Sequence, residues 1–539
     1  MQRSTALTGP AARRIAAAGV LTAGLLALWA HPTPAGAQTR GGARAVLDQA
    51  LGGVGGQRAL SRLSSFQLQA RGRTFIFDEG LRPGDSVTPA STFTLGLDYD
   101  VRAGGDRLRA DYVRTSLGTD RRVSEIVSGR VGYITGVDAN GSPASTKAML
   151  SDRWAAVTRE QRLLNPQLVL RDVVARPSLA STAPARTLNG RPHRILIIRD
   201  AVAPIRLYVD RRTGRIDRLT TLDHNYNRGD VPVVVDYTNW RSAGGGVRFP
   251  RTVSLKVAGQ VLDTETRSAV RANRNFAASR FAIPDGVDAT FDSALAARGA
   301  RTTEWLMTFA HLGFIKDGPA TQINPRVVAP GSTLIQGIPN NSMIVEQQNG
   351  IVVVEGALND ARAEALIRFI RANFPGKPIR YVTGSHHHAD HSGGMRPFVA
   401  LGARPVVHTD AVPFFRDVFA VRNSRLLPDR LDRSNAAANI LAVPATGSVT
   451  LADPVRPVVV LPERTDHAST TVLVFVPSEG VLFVNGDTYT PTAPPGPGAR
   501  TLDQTIRANG LNVKWIVGGH AGVISYADFQ QALAQAPPQ

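Results

Sequence analysis

Four histidines and an aspartate fall within the six residues from His386 to His391, in the stretch Ser385-His386-His387-His388-Ala389-Asp390-His391-Ser392. Alternate side chains of an extended loop point the same way, so His386 and His388 can converge on one cation while His387 turns aside. Asp390 and His391 are adjacent and can serve a second cation beside the first, and Gly393 and Gly394 let the backbone turn tightly beneath them. A histidine run can also be a tag or a surface metal-binding tract. Here the run is interior, Asp390 interrupts it, and the segment 379–382 before it reads as a buried strand feeding a loop. Of the 11 histidines in the chain, four sit in this window.

Elements must deliver further donors to the same place. Short strands are expected at 333–336 and 343–346, a buried run at 351–354, and a helix over 360–374 capped by Asn359, with Ala363, Leu366, Ile367 and Ile370 on its apolar face. The strand 377–382 then carries the chain to the histidines, and open α/β sheets place their sites at such strand ends. His467 precedes the apolar strand 471–476, the strand 481–484 ends in Asn485-Gly486-Asp487, and the strand 513–517 ends in Gly518-Gly519-His520. Three successive strands thus each carry a possible ligand at one end. His408, after the strand 404–407, lacks such neighbours and reads as structural, and His311 reads as a plain helix residue. Asn340, Asn341 and Tyr489 lie on nearby loops, where turn residues are the simpler reading.

Over about residues 326 to 535 the chain resembles the metallo-β-lactamase fold superfamily, through its His-x-His-x-Asp-His signature as His386, His388, Asp390 and His391, followed in order by His467, Asp487 and His520. The resemblance implies an αββα sandwich with its site at the edge of two sheets. It implies that His386, His388 and His467 bind one metal, that Asp390, His391 and His520 bind the second, and that Asp487 bridges them. Such a pair depresses the pKa of a trapped water, so hydroxide is available near neutral pH to attack a carbonyl or phosphorus. Asp390 would hold the hydroxide and pass a proton to the leaving group. An Asp at 487 and the absence of cysteine look more like the thioesterase, lactonase and phosphodiesterase branches than like true β-lactamases. His388 stands where the oxygen-reducing di-iron branch has Glu, which speaks against a redox role.

The N-terminal half reads differently. The segment 45–63 has helical spacing broken by Gly52, Gly53, Gly55 and Gly56. Alternation at Phe66, Leu68 and Ala70, at Leu108, Ala110 and Tyr112, and at Val131 and Tyr133 predicts strands. A helix is expected over 146–164, ended by Pro166, followed by hairpins 205–209/216–222 and 231–240/247–257. The economical arrangement is an α+β domain with a curved antiparallel sheet over a helix. The pattern is similar to periplasmic lipoprotein-carrier-type half-barrels over roughly residues 45 to 285, which implies room for an acyl or lipid ligand; a packing or partner domain is the equal alternative. The expected boundaries are a signal peptide 1–37, this domain over 38–295, a linker and helix over 296–325, and the hydrolase domain over 326–539.

Arg13 and Arg14, the short apolar run 15–30 and the small residues Ala35-Gly36-Ala37 make the N-terminus an export signal, cleaved near Ala37, and the protein periplasmic or extracellular. The paired arginines point toward the twin-arginine route, although their surroundings match it poorly. No apolar span of 18 residues interrupts the mature chain, which asks for no membrane. With no cysteine, any metal site uses nitrogen and oxygen donors, so zinc is the default cation, with iron or manganese as alternatives. Loss of residues 1–37 removes three arginines and no acid, which lowers the net charge from +19 to +16. The basic residues are scattered, which argues against a nucleic-acid face. The expected function is an exported di-metal hydrolase of a small ester, thioester, lactone or related substrate. A β-lactam hydrolase is the alternative, and a periplasmic binding or carrier protein with a structural metal site is the alternative of another class.

Overall fold

The computed structural model describes residues 40–101, 106–116, 118–137, 143–312, 320–337, 339–422, 424–486, 489–490, 494–520 and 522–536. The expected signal peptide and the expected bridging residue Asp487 lie outside these residues.

The N-terminal part opens with helices Arg40–Gly53 and Gln57–Ser61, separated at the predicted glycines. Gly55 has φ +115, and a Cβ there would lie 1.9 Å from the Gly246 carbonyl oxygen, so no other residue fits this crossing of helix and sheet. Thirteen strands form one antiparallel sheet. The first strand, Ser65–Ile76, lies inside it, paired with Thr88–Asp100 on one side and Gln260–Ala272 on the other. Phe66, Leu68 and Ala70 are buried, as their alternation predicts.

Two expectations are corrected here. Pro166 does not end the helical insert; it sits at the start of a second helix, Pro166–Ala175, directly after Ser151–Leu164. Proline lacks the N–H that has no partner in a first turn anyway, so it starts helices as readily as it stops them. The strands Ala180–Leu188 and Arg191–Ile198 were not anticipated. Asn189-Gly190 joins them with φ +50 and +73, the left-handed pair that a two-residue hairpin turn needs. Between helix and sheet lie buried ion pairs: Arg153 Nη2 to Glu125 Oε1 at 2.7 Å and Arg267 Nη2 to Glu265 Oε2 at 2.8 Å, with Arg267 also donating to Asn165 Oδ1 at 3.1 Å. Helices Ser293–Gly299 and Thr303–Leu312 pack against Ser151–Leu164.

The C-terminal part has a seven-stranded and a six-stranded sheet. One apolar core, with Leu366, Ile370, Phe398 and Phe415, packs the helices Asp360–Asn373, Met395–Ala400 and Val412–Ala420 on the first sheet. A second core, with Val345, Val352, Val406, Val474 and Phe483, lies between the two sheets. A third, with Leu473, Leu482, Leu502 and Phe529, packs Pro497–Ala508 and Tyr526–Gln535 on the outer face of the second sheet. Helix, sheet, sheet, helix is the expected αββα sandwich. Strands Val472–Val476 and Val481–Val484 are buried along their whole length, as strands covered on both faces must be.

Candidate metal centre

Strand direction brings the donors together. Gly350–Val354 runs parallel to Ile379–Thr383, joined by the helix Asp360–Asn373, whose N-cap Asn359 accepts from the Arg362 N–H at 3.0 Å. The histidine loop leaves the C-terminal end of Ile379–Thr383. In the second sheet, Val481–Val484 and Trp515–Gly518 are parallel, so Asn485-Gly486 and His520 emerge at one edge. A Cβ on Gly486, at φ +93, would lie 2.4 Å from the His520 nitrogen, so the two loops meet closely. Val472–Val476 is antiparallel to Val481–Val484, which puts the residues before its start, including His467, at that same edge. The Val472 N–H donates to the Ser385 carbonyl at 2.7 Å and locks the two edges together.

One donor atom from each of His386, His388 and His467 lies within 4.8 Å of the others, and the same holds for Asp390, His391 and His520. These are the two triads expected from the sequence. They adjoin: the rings of His386, in the first, and His391, in the second, are 4.2 Å apart between centroids. Asp390 Oδ2 lies 3.3 Å from His391 Nε2 and 3.7 Å from His520 Nε2. His387 turns aside, as expected: its Nδ1 is 2.8 Å from Thr470 Oγ1, its ring meets Phe414, and burial lowers its pKa to about 3. His408 is structural, its Nδ1 accepting the Asp410 N–H at 3.2 Å.

The surrounding partners were not read from the sequence. Glu355 is fully buried; its Oε1 accepts from His391 Nδ1 at 3.0 Å and its Oε2 from the Ser385 N–H at 3.1 Å. A carboxylate on Nδ1 fixes the tautomer that leaves Nε2 of His391 as the donor to a cation. Asn340 is a site residue rather than a turn residue: it is buried, and its Nδ2 donates to Asp390 Oδ2 at 3.2 Å. Asn341 instead ties loops, donating to the Gly518 carbonyl at 2.9 Å, and Tyr489 packs on Phe529. His388 also meets the N-terminal domain, with Nε2 2.9 Å from the Gly80 carbonyl and Nδ1 3.0 Å from Glu79 Oε2. Burial, the largest single influence, depresses its pKa, but the Glu79 carboxylate, the Gly80 carbonyl and Asp390 together outweigh it and raise the value to about 9. Burial pushes the Glu79 carboxyl upward, against the opposing pull of His388.

The donor set fits a pair of divalent cations of borderline hardness: imidazole nitrogens on one side, imidazole with a carboxylate on the other, and no thiolate. A third triad, His193, Asp210 and Asp217, lies on the N-terminal sheet. Arg191 pairs with both of its carboxylates, at 3.1 and 2.6 Å, and offsets part of their charge.

The family model for the metallo-beta-lactamase superfamily matches residues 335–517. Among solved structures, the chain is similar to DIM-1 metallo-beta-lactamase, at 16% identity and TM-score 0.30, over 40% of this chain and 96% of that one. It is similar to a metallo-beta-lactamase from Pontibacter korlensis, at 16% identity and TM-score 0.31, over 40% of this chain and 98% of that one. It is similar also to the sec-alkylsulfatase Pisa1 from Pseudomonas sp., at 17% identity and TM-score 0.30, over 39% of this chain and 40% of that one. No curated protein matches. The superfamily match thus falls on residues 335–517, within the αββα sandwich, and the N-terminal part is an antiparallel sheet of 13 strands among the described residues.

Proposed function

We propose that the protein is an exported metal-dependent hydrolase acting on a small ester, thioester, lactone or related substrate, with two divalent cations, zinc by default. The observation that carries this reading is the adjacency of two donor triads, each with its ligand atoms within 4.8 Å, at one edge of the sandwich. His386, His388 and His467 would hold one cation and Asp390, His391 and His520 the other, with Asp487 assigned as the bridge from its place after Gly486. Such a pair supplies Lewis acidity and makes water a nucleophile near neutral pH.

The chain's own residues do the rest. Asp390 has the imidazoles of His391 and His520 beside its Oδ2, and Asn340 donates to that oxygen. It is the group placed to take a proton from the attacking water and return it to the leaving group. Glu355 and Ser385 hold the His391 ring, so that its other nitrogen keeps its direction. A site assembled from strand ends rather than free loops suits a reaction in which small displacements cost rate.

The test is metal analysis of the purified protein followed by assay against chromogenic ester, lactone and β-lactam substrates. About two equivalents of metal with turnover of an ester or lactone is expected; turnover of the β-lactam alone would favour the alternative substrate. Two bound metals without turnover of any of the three would overturn the hydrolase and leave a binding protein with a structural metal site.

A further inference from the structure

The contacts of His388 lead across the domain boundary. Its Nε2 faces the Gly80 carbonyl at 2.9 Å. A carbonyl only accepts, so Nε2 carries the hydrogen, and Nδ1 is the nitrogen left to face a cation. Opposite Nδ1, at 3.0 Å, stands Glu79 Oε2. A carboxylate oxygen and an imidazole nitrogen come this close only with a positive charge between them, either a proton on Nδ1 or a cation that replaces it. Two donors bonded at ~2.1 Å to one cation stand ~3.4 Å apart in a tetrahedral site and ~3.0 Å apart at right angles in a more highly coordinated one, so the 3.0 Å found here suits a shared cation with more than four ligands.

We propose that Glu79, supplied by the N-terminal domain, is a further ligand of the cation held by His386, His388 and His467, so that the metal centre is completed by both halves of the chain. This rests on the metal-centre reading above and adds to it a ligand that the C-terminal domain does not contain.

The loop that carries Glu79 is built to present it. It joins the strands Ser65–Ile76 and Thr88–Asp100. Asp78, at φ +58, is clamped by Arg228, with Nε and Nη2 at 2.6 and 2.5 Å from its two oxygens, and that guanidinium stacks over Phe77. The Thr88 hydroxyl donates to the Glu79 carbonyl at 2.7 Å. Beyond it, the Arg82 N–H donates to Asp85 Oδ2 at 2.8 Å and closes the turn. The loop is then pinned to the other domain by the Ser469 N–H, which donates to the Leu81 carbonyl at 2.8 Å, two residues past His467. The Glu79 side chain is only 19% exposed. A residue of the left-handed backbone region held by a bidentate arginine is ordering that an idle surface loop does not need.

The experiment compares wild type, Glu79→Gln and Glu79→Asp in the full-length protein, by metal competition with a chromogenic chelator and by the visible spectrum of the cobalt(II)-substituted form. Glu79→Gln is nearly isosteric, and circular dichroism of the metal-free variants verifies folding. Expected is a ~10- to 100-fold weaker affinity at one of two sites, with the other unchanged, and a changed cobalt d–d band, partly restored in Glu79→Asp. Unchanged affinity in Glu79→Gln overturns the proposal. Weaker affinity with an unaltered cobalt spectrum overturns it too, because a carboxylate that only orients His388 leaves the coordination number alone. If wild type itself binds no metal, the metal-centre reading fails first, and that failure is read on wild type alone.

Discussion

Glu355 ends an apolar strand, yet it is fully buried, adopts φ +67 and gives one oxygen to His391 and the other to the Ser385 backbone. Truncating it leaves His391 free to rotate and strands a buried N–H. Glu355→Ala is expected to weaken metal binding at the Asp390, His391 and His520 triad by ~10- to 100-fold, measured by chelator competition. Asp390→Asn and His388→Ala should separate two kinds of loss. The first should abolish turnover with most metal retained, while the second should lose metal before anything else; full rate in Asp390→Asn would remove the proton role. At this scale the sequence was informative where residue type alone carries chemistry. His386, His388, Asp390 and His391 sit together in the chain, and His467 and His520 each follow or precede a recognisable strand. Glu355 was hidden because nothing in a valine run announces a buried carboxylate, and Asn340, a candidate pocket residue by its place, read as a turn residue because a Pro-Asn-Asn turn does not show which side faces inward. Glu79 lies 309 positions before His388, and no local pattern links them.

The short helix that follows the histidine loop is held by one arginine between two carboxylates. Arg396, on the helix Met395–Ala400, donates through Nε and Nη2 to Asp429 at 2.6 and 3.2 Å, and also faces Asp432 at 3.2 Å. Burial would raise the Asp429 carboxyl, but the hydrogen bonds and charge of Arg396 outweigh it and hold its pKa below the usual carboxylate range. A depressed carboxyl stabilises the fold above its unfolded pKa, and that stabilisation is lost as pH falls through the folded value. Asp429→Asn should therefore cost ~2 kcal/mol at pH 7, where it removes two charge-assisted hydrogen bonds and leaves the buried guanidinium to Asp432 and the Val418 carbonyl, and much less near pH 3, read by urea unfolding at the two values. Element types were mostly legible, since burial on both faces makes strands such as Val472–Val476 continuous apolar runs. The hairpin of Ala180–Leu188 with Arg191–Ile198 was missed although Asn189-Gly190 marks it, because its first strand is an exposed edge with no apolar alternation.

On the scale of the molecule, the two halves are joined by specific polar contacts. Asp230 accepts from the Arg425 and Leu426 N–H groups at 2.8 and 3.3 Å, Arg298 pairs with Asp360 at the start of its helix, and Asn227 donates to Ser392 Oγ at 3.3 Å. Ser392 lies directly after His391, so the N-terminal sheet touches the metal loop from two directions, through residues 79–81 and through Asn227. Cations that bind only the assembled site should stabilise the whole by ~2.7 kcal/mol at a hundredfold excess over Kd. Chelation is therefore expected to lower Tm by several degrees, with recovery on adding zinc; an unchanged Tm would show that the site is not metal-loaded. This joint was illegible in the sequence, because its partners are 62 or more residues apart and no local pattern pairs them.

The strand Ser65–Ile76 has a further consequence, for the order in which the protein is made. Phe66 faces Tyr99 on one side and Ala272 on the other, so one flank can pair early in synthesis and the other must wait for about 200 further residues. Its tip then waits longer still, for His388 and Ser469 to leave the ribosome. A nascent chain thus has every strand of that sheet before it has the histidines of the metal loop, and a stall between residues 272 and 386 leaves the Glu79 carboxylate without the partner it has in the finished protein.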